Sequence, residues 1–330
     1  MESTRTRLIK ILSAERDSYI SGQALSDALN ISRNAVWKHM KELEKDGYEI
    51  EGKPRKGYRI LSFPDKLSSN TLQWGLHTNW LGQHTIHKSS TPSTQFVAHQ
   101  AAREMAAHGT VVIADEQTQG RGRMNRSWYS AKEKGVWMSI ILRPGIQPYL
   151  APQLTLMSAV ALADALRRHT GTKPLIKWPN DILLSGKKTA GILTEMQAEQ
   201  DQIQYVVIGI GLNVNHQETD LAEDLQGRAT SLYLETGKTW QIKELVQDIL
   251  QSFEKTYEQY IDNGFPAIKD RWEKYGFKIG EKITAKTLKD SWKAKFLGIS
   301  EDGALILQTE NGETKQLYSA EIDWFERNGQ

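Results

Sequence analysis

Hydrophobic residues in the first 45 positions recur at intervals of three and four, which is the spacing of helices that bury one face. Three such stripes lie at 8–12, 25–29 and 36–43. Ser21 and Ser32 stand where the second and third helices begin, and serine is a preferred N-cap residue. The pattern predicts three helices, the last two forming a helix-turn-helix over about 21–44.

The pattern changes after Gly47 to strand-like alternation. Runs at 48–51 and 58–61 flank a turn at 52–57 that is rich in cations, which predicts a β-hairpin wing. A winged helix-turn-helix domain that binds DNA is expected, and the alternative is a winged-helix module that binds proteins. The residues expected to contact DNA are Ser32, Arg33, Asn34, Trp37, Lys38 and Lys41 of the third helix and Lys53, Arg55 and Lys56 of the wing.

Beyond a linker at about 62–69, strand-like and helix-like segments alternate, which indicates an α/β layer structure. Strands are predicted at 85–87, 111–114 and 135–142. A helix is predicted to follow Ser93 and to carry four apolar residues, Phe96, Val97, Ala101 and Met105.

The last 55 residues favour a small all-β domain. Alternating runs at 282–288, 292–299, 304–307 and 315–318 are separated by turns at 289–290, 302–303 and 311–312, two of which end in glycine.

Composition narrows the classes of function. The chain carries a net charge of only +2, but the first 61 residues hold 12 Lys and Arg against 9 Asp and Glu, so the basic part is the predicted DNA-binding end. The sequence has no cysteine, which excludes thiol nucleophiles and disulfides. Residues 1–5 open no signal sequence, and no run approaches the ~18 apolar residues of a membrane span. A cytoplasmic protein that does not bind membranes is expected.

A cationic loop follows the strand at 111–114. Its sequence, Gly120-Arg121-Gly122-Arg123-Met124-Asn125-Arg126-Ser127-Trp128, holds three arginines and two glycines. Glycine lets the backbone approach a ligand, and guanidinium groups match the oxygens of carboxylates and phosphates. A solvated basic loop or a nucleic-acid contact would have the same composition.

Two further segments could carry chemistry. Lys177-Trp178-Pro179-Asn180-Asp181 ends an apolar run and presents an amide and a carboxylate, which suit either a nucleotide with its Mg²⁺ or a plain Asx turn. A hairpin at 182–193 then places Lys188 just past its tip. Residues 186–189 lack the leading glycine of a P-loop. The glycines at 209 and 211 lack the third glycine of a dinucleotide fingerprint and instead suit a buried strand with room for a flat ligand.

Ser93-Thr94-Gln95 could bind a small polar ligand or simply cap its helix. Taken with the arginine loop, the segments at 177–181 and 188–193, and Gly209-Ile210-Gly211-Leu212-Asn213, this tripeptide makes the chain strongly resemble the biotin protein ligases. With the helix-turn-helix in front, residues 5–325 resemble bacterial bifunctional ligases and biotin-operon repressors.

The resemblance implies a fold of the α/β (α+β) class with three domains. These are a winged helix-turn-helix domain at 1–64, a class II synthetase-like catalytic domain with a mixed sheet at 65–274, and an SH3-like β-barrel at 275–330.

The resemblance also implies an activity, in which biotin and ATP, with Mg²⁺, form biotinyl-5′-AMP, and a lysine of a biotin carboxyl carrier protein or another biotin-dependent carboxylase then receives biotin. The site residues that it implies fall into two groups. Biotin and the acyl phosphate are assigned to Ser93, Thr94, Gln95, Gln117, Arg121, Gly122, Arg123 and Lys188, of which Arg121, Arg123 and Lys188 are the expected catalytic residues. The nucleotide is assigned to Arg126, Trp128, Asp181, Asn213 and Arg228, with Trp128 stacking on adenine.

The arginine loop is expected to be mobile when empty and ordered by the adenylate, because it has no apolar anchor between Gly120 and Arg126. Biotinyl-AMP would then favour a homodimer that represses the biotin operator. Two alternatives stand beside this hypothesis, namely a lipoate-type ligase and a biotin-sensing repressor without catalysis.

Overall fold

The structure is a computed structural model and describes residues 4–15, 18–62, 64, 66–287 and 290–324. The chain folds as two compact units, Met1–His77 and Thr78–Gln330.

The first unit is the predicted winged helix-turn-helix. Its helices are α1 (Thr4–Ala14), α2 (Gly22–Leu29), α3 (Arg33–Lys45) and the short α4 (Ser69–Gln73), and its strands are β1 (Glu49–Lys53) and β2 (Gly57–Ser62). Ser21 and Ser32 cap α2 and α3 as predicted, since their hydroxyls accept from the backbone N–H groups of Ala24 and Ala35. The predicted helix stripes meet in one core, which also contains Trp74.

The second unit is built on a seven-stranded mixed sheet with the order β3-β4-β5-β9-β8-β7-β6. The pair β3 and β4 is parallel, and all the other neighbours are antiparallel. The strands are β3 (Thr85–Lys88), β4 (Val111–Ala114), β5 (Gly135–Leu142), β6 (Leu175–Lys177), β7 (Asp181–Leu184), β8 (Lys187–Glu199) and β9 (Gln202–Asn213). The predicted strands at 111–114 and 135–142 are confirmed with their bounds.

The described residues of this unit form five α-helices, namely α5 (Thr94–Arg103), α6 (Ala151–Thr170), α7 (Leu232–Thr236), α8 (Ile242–Asn263) and α9 (Pro266–Tyr275). Helix α5 packs on β4, β5 and β9, and α6 packs on β8 and α8. The prediction that Met105 belongs to α5 was wrong. The helix ends at Arg103, and Met105 takes a left-handed φ of 63° and is 77% exposed.

The segment Pro148–Thr170, which includes α6, is by length and composition apolar enough to cross a membrane, so the sequence-based exclusion of any such segment was too strict. In the most apolar 18-residue stretch of this segment, 72% is buried inside the protein, as expected for a core helix. Nearly every side of α6 is covered, from Leu154 to Leu166.

The predicted C-terminal all-β domain is confirmed as a five-stranded antiparallel sheet with the order β13-β12-β11-β10-β14. Its strands are β10 (Lys282–Lys286), β11 (Ser291–Ile299), β12 (Leu305–Thr309), β13 (Thr314–Leu317) and β14 (Glu321–Asp323). The sequence pattern had missed β14, which has only three residues. The turn predicted at 289–290 lies partly outside the described residues.

Candidate active site and DNA-binding face

A cleft of about 1170 Å³ lies in the second unit and brings the distant sequence motifs together. It is lined by the helix start at 93–95, the arginine loop, the segment 177–181, strands β8 and β9, and residues of the C-terminal sheet domain. This cleft is lined by all of the residues predicted to bind biotin or the nucleotide. They are Ser93, Thr94, Gln95, Gln117, Arg121, Gly122, Arg123, Arg126, Trp128, Asp181, Lys188, Asn213 and Arg228.

A chain of polar side chains forms one wall of the cleft. Gln117 Oε1 accepts from the N–H (2.8 Å) and the hydroxyl (3.1 Å) of Thr94. The Thr94 hydroxyl lies 2.9 Å from Ser139 Oγ, which donates to Gln95 Oε1 at 2.9 Å. Gln95 Nε2 in turn donates to the carbonyls of Leu193 and Val207. Because each member has a partner, the wall is a rigid array of donors and acceptors suited to a polar, uncharged group.

Glycines on β8 and β9 bring two of the predicted side chains directly onto the sheet. A Cβ atom at Gly209 would lie 2.7 Å from Gln95 Oε1, and one at Gly211 would lie 2.6 Å from the Trp128 indole. Gly191 faces the same indole, at 2.9 Å. The glycines let side chains lie directly on the sheet, and in this structure the Trp128 ring occupies the space above Gly191 and Gly211.

The arginine loop has a defined backbone. Gly122 N–H donates to the Arg126 carbonyl at 2.7 Å, and Trp128 N–H donates to the Gly120 carbonyl at 2.8 Å. Met124 sits at the tip with φ 55° and is 77% exposed. The loop also has polar anchors, because Arg123 Nη1 donates to Asn180 Oδ1 at 3.2 Å and Arg121 Nη2 lies 3.5 Å from Glu195 Oε1.

Cations converge around a single carboxylate on the 177–191 side of the cleft. Lys188 Nζ lies 2.7 Å from Asp181 Oδ1 and 5.2 Å from the centre of the Trp128 ring. Burial lowers the pKa of Lys177, Asp181 raises it in part, and Lys188 and Arg228 lower it further. Burial likewise lowers the pKa of Arg123. Cations gathered in a partly desolvated cleft with few carboxylates are arranged for an anion.

Backbone contacts also fix the segment at 228–230 next to Lys188. Lys188 N–H donates to the Arg228 carbonyl at 2.9 Å, and Thr230 N–H donates to the Lys188 carbonyl at 2.8 Å. The buried Asn213 donates from Nδ2 to the Thr230 carbonyl at 3.0 Å. The segment that carries Arg228 is thus bound edge-on to the start of β8.

The C-terminal sheet domain completes the cleft, to which it contributes residues 286–287, 290 and 319–324. It is attached next to the 177–181 segment, since Phe277 N–H donates to the Ile176 carbonyl at 2.9 Å and Trp178 Nε1 donates to the Gly303 carbonyl at 3.3 Å. Arg126 also lies 3.8 Å from Glu321. The position of the Trp178 side chain therefore depends on this domain, whereas the pair of Arg126 and Glu321 is largely exposed.

In the first unit, all nine residues predicted to contact DNA are exposed. They are Ser32, Arg33, Asn34, Trp37, Lys38, Lys41, Lys53, Arg55 and Lys56. Two of their charges are already paired, because Lys41 contacts Glu44 at 2.6 Å and Lys53 contacts Glu51 at 3.0 Å. Ser32 uses its hydroxyl as a cap.

Lys177, Asn180 and Ser139 line the cleft and Glu195 lies beside its arginine loop, and none of these polar residues was assigned a role from the sequence. Lys177 and Asn180 lie in a motif that drew attention, but the pattern could not show which way their side chains point. Ser139 and Glu195 sit in β5 and β8 and face the cleft and its arginine loop through strand register. The signal for Ser139 is a polar residue inside the otherwise apolar strand β5, whereas the mixed sequence of β8 gives no such signal for Glu195. Among the described residues there is no group of three or more His, Asp or Glu that could hold a metal ion.

Comparison with known proteins agrees with this architecture. Residues 88–213 match the Biotin/lipoate A/B protein ligase family, residues 4–59 match an HTH domain, and residues 278–324 match the biotin protein ligase C terminal domain. The structure is similar to that of the biotin protein ligase from Aquifex aeolicus in complex with biotin and ATP, with a TM-score of 0.64 and 31% identity, covering 73% of this chain and 98% of that one.

Two curated relatives span the full length. The bifunctional ligase/repressor BirA of Bacillus subtilis is 49% identical over 324 residues, and that of Bacillus spizizenii is 48% identical over 324 residues. Each alignment covers 98% of this chain and 99% of the relative. Similarity at this level over whole chains, with both end domains matched, leads to one conclusion. The chain belongs to the family of bifunctional biotin protein ligases and repressors.

Proposed function

We propose that the cleft joins biotin to ATP and passes the activated biotin to a lysine of a carrier protein. The observation that carries this proposal is the placement of Arg123, Lys177, Lys188 and Arg228 around one cleft whose other wall is a neutral polar array. Such a cleft suits a neutral head group at one end and two reacting anions at the other.

The reaction joins two groups that repel each other. A carboxylate oxygen of biotin attacks the α-phosphorus of ATP, and the bond to the departing pyrophosphate breaks, which leaves biotinyl-5′-AMP. The amine of the acceptor lysine then attacks the acyl carbon, loses a proton, and AMP leaves. The barrier comes chiefly from charge, so fixed cations lower it without a protein nucleophile.

Roles for the side chains follow from their positions. Thr94, Gln95 and Gln117 would bind the neutral end of biotin, while Arg123 and Lys188 would hold its carboxylate against the α-phosphate. On the nucleotide side, Trp128 would stack on adenine, and the remaining contacts are assigned to Arg126, Asp181, Asn213 and Arg228. Mg²⁺ would arrive with the phosphates of ATP, which supply oxygens that this ion prefers.

The ligase proposal is tested by incubating the purified chain with biotin, ATP, Mg²⁺ and a biotin carboxyl carrier domain. Mass spectrometry should show the carrier gaining one biotin on one lysine. The matched control contains lipoate in place of biotin and a lipoyl carrier domain in place of the biotin carrier. A lipoate-type ligase would modify that domain instead. An unmodified carrier with folded protein would leave the non-catalytic sensor as the better account.

We further infer that the adenylate acts as a corepressor. The arginine loop forms part of the cleft, and ligand contacts that order such a loop can favour a homodimer. A dimer would present two winged helices to a two-fold biotin operator. Gel-shift titration should show tighter operator binding with biotin plus ATP than with either alone, together with a shift from monomer to dimer in sedimentation.

The domain boundaries that we propose are 1–64, 65–274 and 275–330. We also propose a cytoplasmic location without membrane binding, since ATP and DNA are both found there. Fractionation of cells that express the chain would check the location.

A further inference from the structure

The first two arginines of the loop contact different parts of the sheet. Arg123 donates to Asn180, in the turn between β6 and β7, whereas Arg121 lies 3.5 Å from Glu195 on β8. The Arg121 side chain keeps 49% of its surface exposed, while burial lowers the pKa of Arg123. The geometry gives the two arginines separate tasks, with Arg123 directed into the cleft and Arg121 attached to β8.

Glu195 is itself held by other groups. His99 Nε2 lies 3.2 Å from Glu195 Oε2, and the other ring nitrogen lies 3.4 Å from the Tyr205 hydroxyl. The His99 ring also packs edge-on against Tyr205, with centroids 5.6 Å apart. The contact with His99 lowers the pKa of Glu195, with further contributions from Gln95 and the charge of Arg121. Its carboxylate is therefore ionised and oriented at neutral pH.

The arginine loop depends on side-chain contacts for its position on the sheet. Its backbone hydrogen bonds, from Gly122 to Arg126 and from Trp128 to Gly120, join one part of the loop to another. Contacts with the sheet come from side chains, and the contact of Arg121 with Glu195 is ionic and comes at the start of the loop. A pair of charges that is partly shielded from water can bias such a segment toward one position.

We propose that Glu195 is a positioning residue, whose carboxylate, oriented by His99, holds Arg121 on β8 and so fixes the arginine loop with Arg123 in the cleft. Arg121 then serves as an anchor of the loop and not as a ligand of the substrate anions. The effect on substrate capture rests on the proposed function, whereas the effect on the empty loop does not.

The anchor is tested in the ligand-free, full-length chain by limited trypsin digestion, with cleavage after Arg123 and Arg126 measured by mass spectrometry. Glu195→Gln removes the charge and keeps the shape, and it should speed cleavage at these two sites about threefold. Glu199→Gln, an exposed position on the same strand, is the matched control and should leave the rate unchanged. An unchanged rate in Glu195→Gln would overturn the proposal.

A double-mutant cycle shows whether Glu195 acts through Arg121. Arg121→Gln should speed cleavage to the same extent, and the double variant should be no faster than either single variant. Effects that multiply would mean that the two residues act separately, which contradicts the proposal. If Glu195→Gln melts early, Arg121→Gln at the exposed end of the pair still tests the anchor.

The consequence for catalysis is a change in binding more than in rate. In biotin-dependent pyrophosphate exchange, Glu195→Gln should raise KM for biotin about fivefold and change kcat less than about twofold, since bound substrates return the loop and Arg123 to the cleft at a cost in binding. A loss of kcat at unchanged KM would contradict the positioning role. Absence of exchange in the unaltered chain would refute the proposed function while leaving the proteolysis result valid.

Discussion

The ammonium of Lys188 lies 2.7 Å from the carboxylate of Asp181, across the paired strands β7 and β8. The two groups form an ion pair but are not aligned as a hydrogen bond, since Asp181 Oδ1 has no hydrogen-bond partner among the described residues. Asp181 therefore neutralises Lys188 without holding it in a fixed direction. An incoming carboxylate or phosphate could draw the ammonium from it.

Lys188→Ala should lower adenylation more than tenfold, because it removes a cation from the place where two anions meet. Lys187→Ala is the matched control, since Lys187 is the adjacent residue of the same strand and is exposed. Pyrophosphate exchange measures both variants. Near-normal exchange in Lys188→Ala would remove this residue from the proposed site.

Arg123→Ala should also lower adenylation more than tenfold, with most of the effect on kcat, since a half-buried guanidinium in the cleft acts where charge develops. Arg103→Ala, at the end of α5, provides the control for loss of one arginine. A variant whose KM alone changes would show that Arg123 binds substrate without assisting the reaction.

Gly211→Ala should weaken substrate binding at least tenfold. The added methyl group would lie 2.6 Å from the Trp128 indole, and the ring would be pushed from the sheet. Gly145→Ala is the control, because a Cβ at that glycine meets nothing within 4 Å. Calorimetric titration with biotin and ATP measures the difference, and equal affinities in the two variants would argue against a role for this surface.

Acid should destabilise the second unit through His216. This residue is fully buried, and burial lowers its pKa to about 4 from an ordinary 6.5. The unfolded chain therefore binds the proton more readily, so the stabilising effect of the neutral ring is present above pH ~6.5 and is lost as pH falls toward 4, by ~3 kcal/mol at most. In chemical unfolding between pH 7 and 4, the free energy of unfolding should depend less on pH in His216→Phe than in the unaltered chain. If the two proteins lose stability in parallel as the pH falls, His216 does not contribute to the pH dependence.

The two wing lysines should differ in their contribution to DNA binding. Lys53 is already paired with Glu51 at 3.0 Å, whereas Lys56 is exposed and has no ion-pair partner within the described part of the chain. In a plot of the logarithm of the DNA association constant against the logarithm of the salt concentration, Lys56→Ala should reduce the steepness of the slope by about one. Lys53→Ala should reduce it less. Equal slopes in the two variants would mean that DNA breaks the Lys53 pair.

Local patterns predicted much of this architecture. The N-caps Ser21 and Ser32 and the bounds of β4 and β5 are confirmed, because each depends on neighbouring residues alone. Helix α6 received no prediction, since a helix covered on nearly all sides has no polar stripe to reveal its period.

The composition of the cleft was predictable, but its internal contacts were not. The motifs that resemble the ligase family converge on one cavity. The partners of Ser139 and Glu195 depend on the register between strands and on the path of the loop, which no local pattern contains. The same holds for Trp178, whose bond to the Gly303 carbonyl joins residues 125 positions apart.

The proposal that this cleft activates biotin with ATP can be tested by the exchange of labelled pyrophosphate into ATP, catalysed by the purified full-length chain. The reaction needs neither carrier protein nor operator. We expect exchange that requires biotin, is not supported by lipoate and falls more than tenfold in Arg123→Ala. Folded protein that shows no exchange in the presence of Mg²⁺, or equal exchange with lipoate, would contradict it.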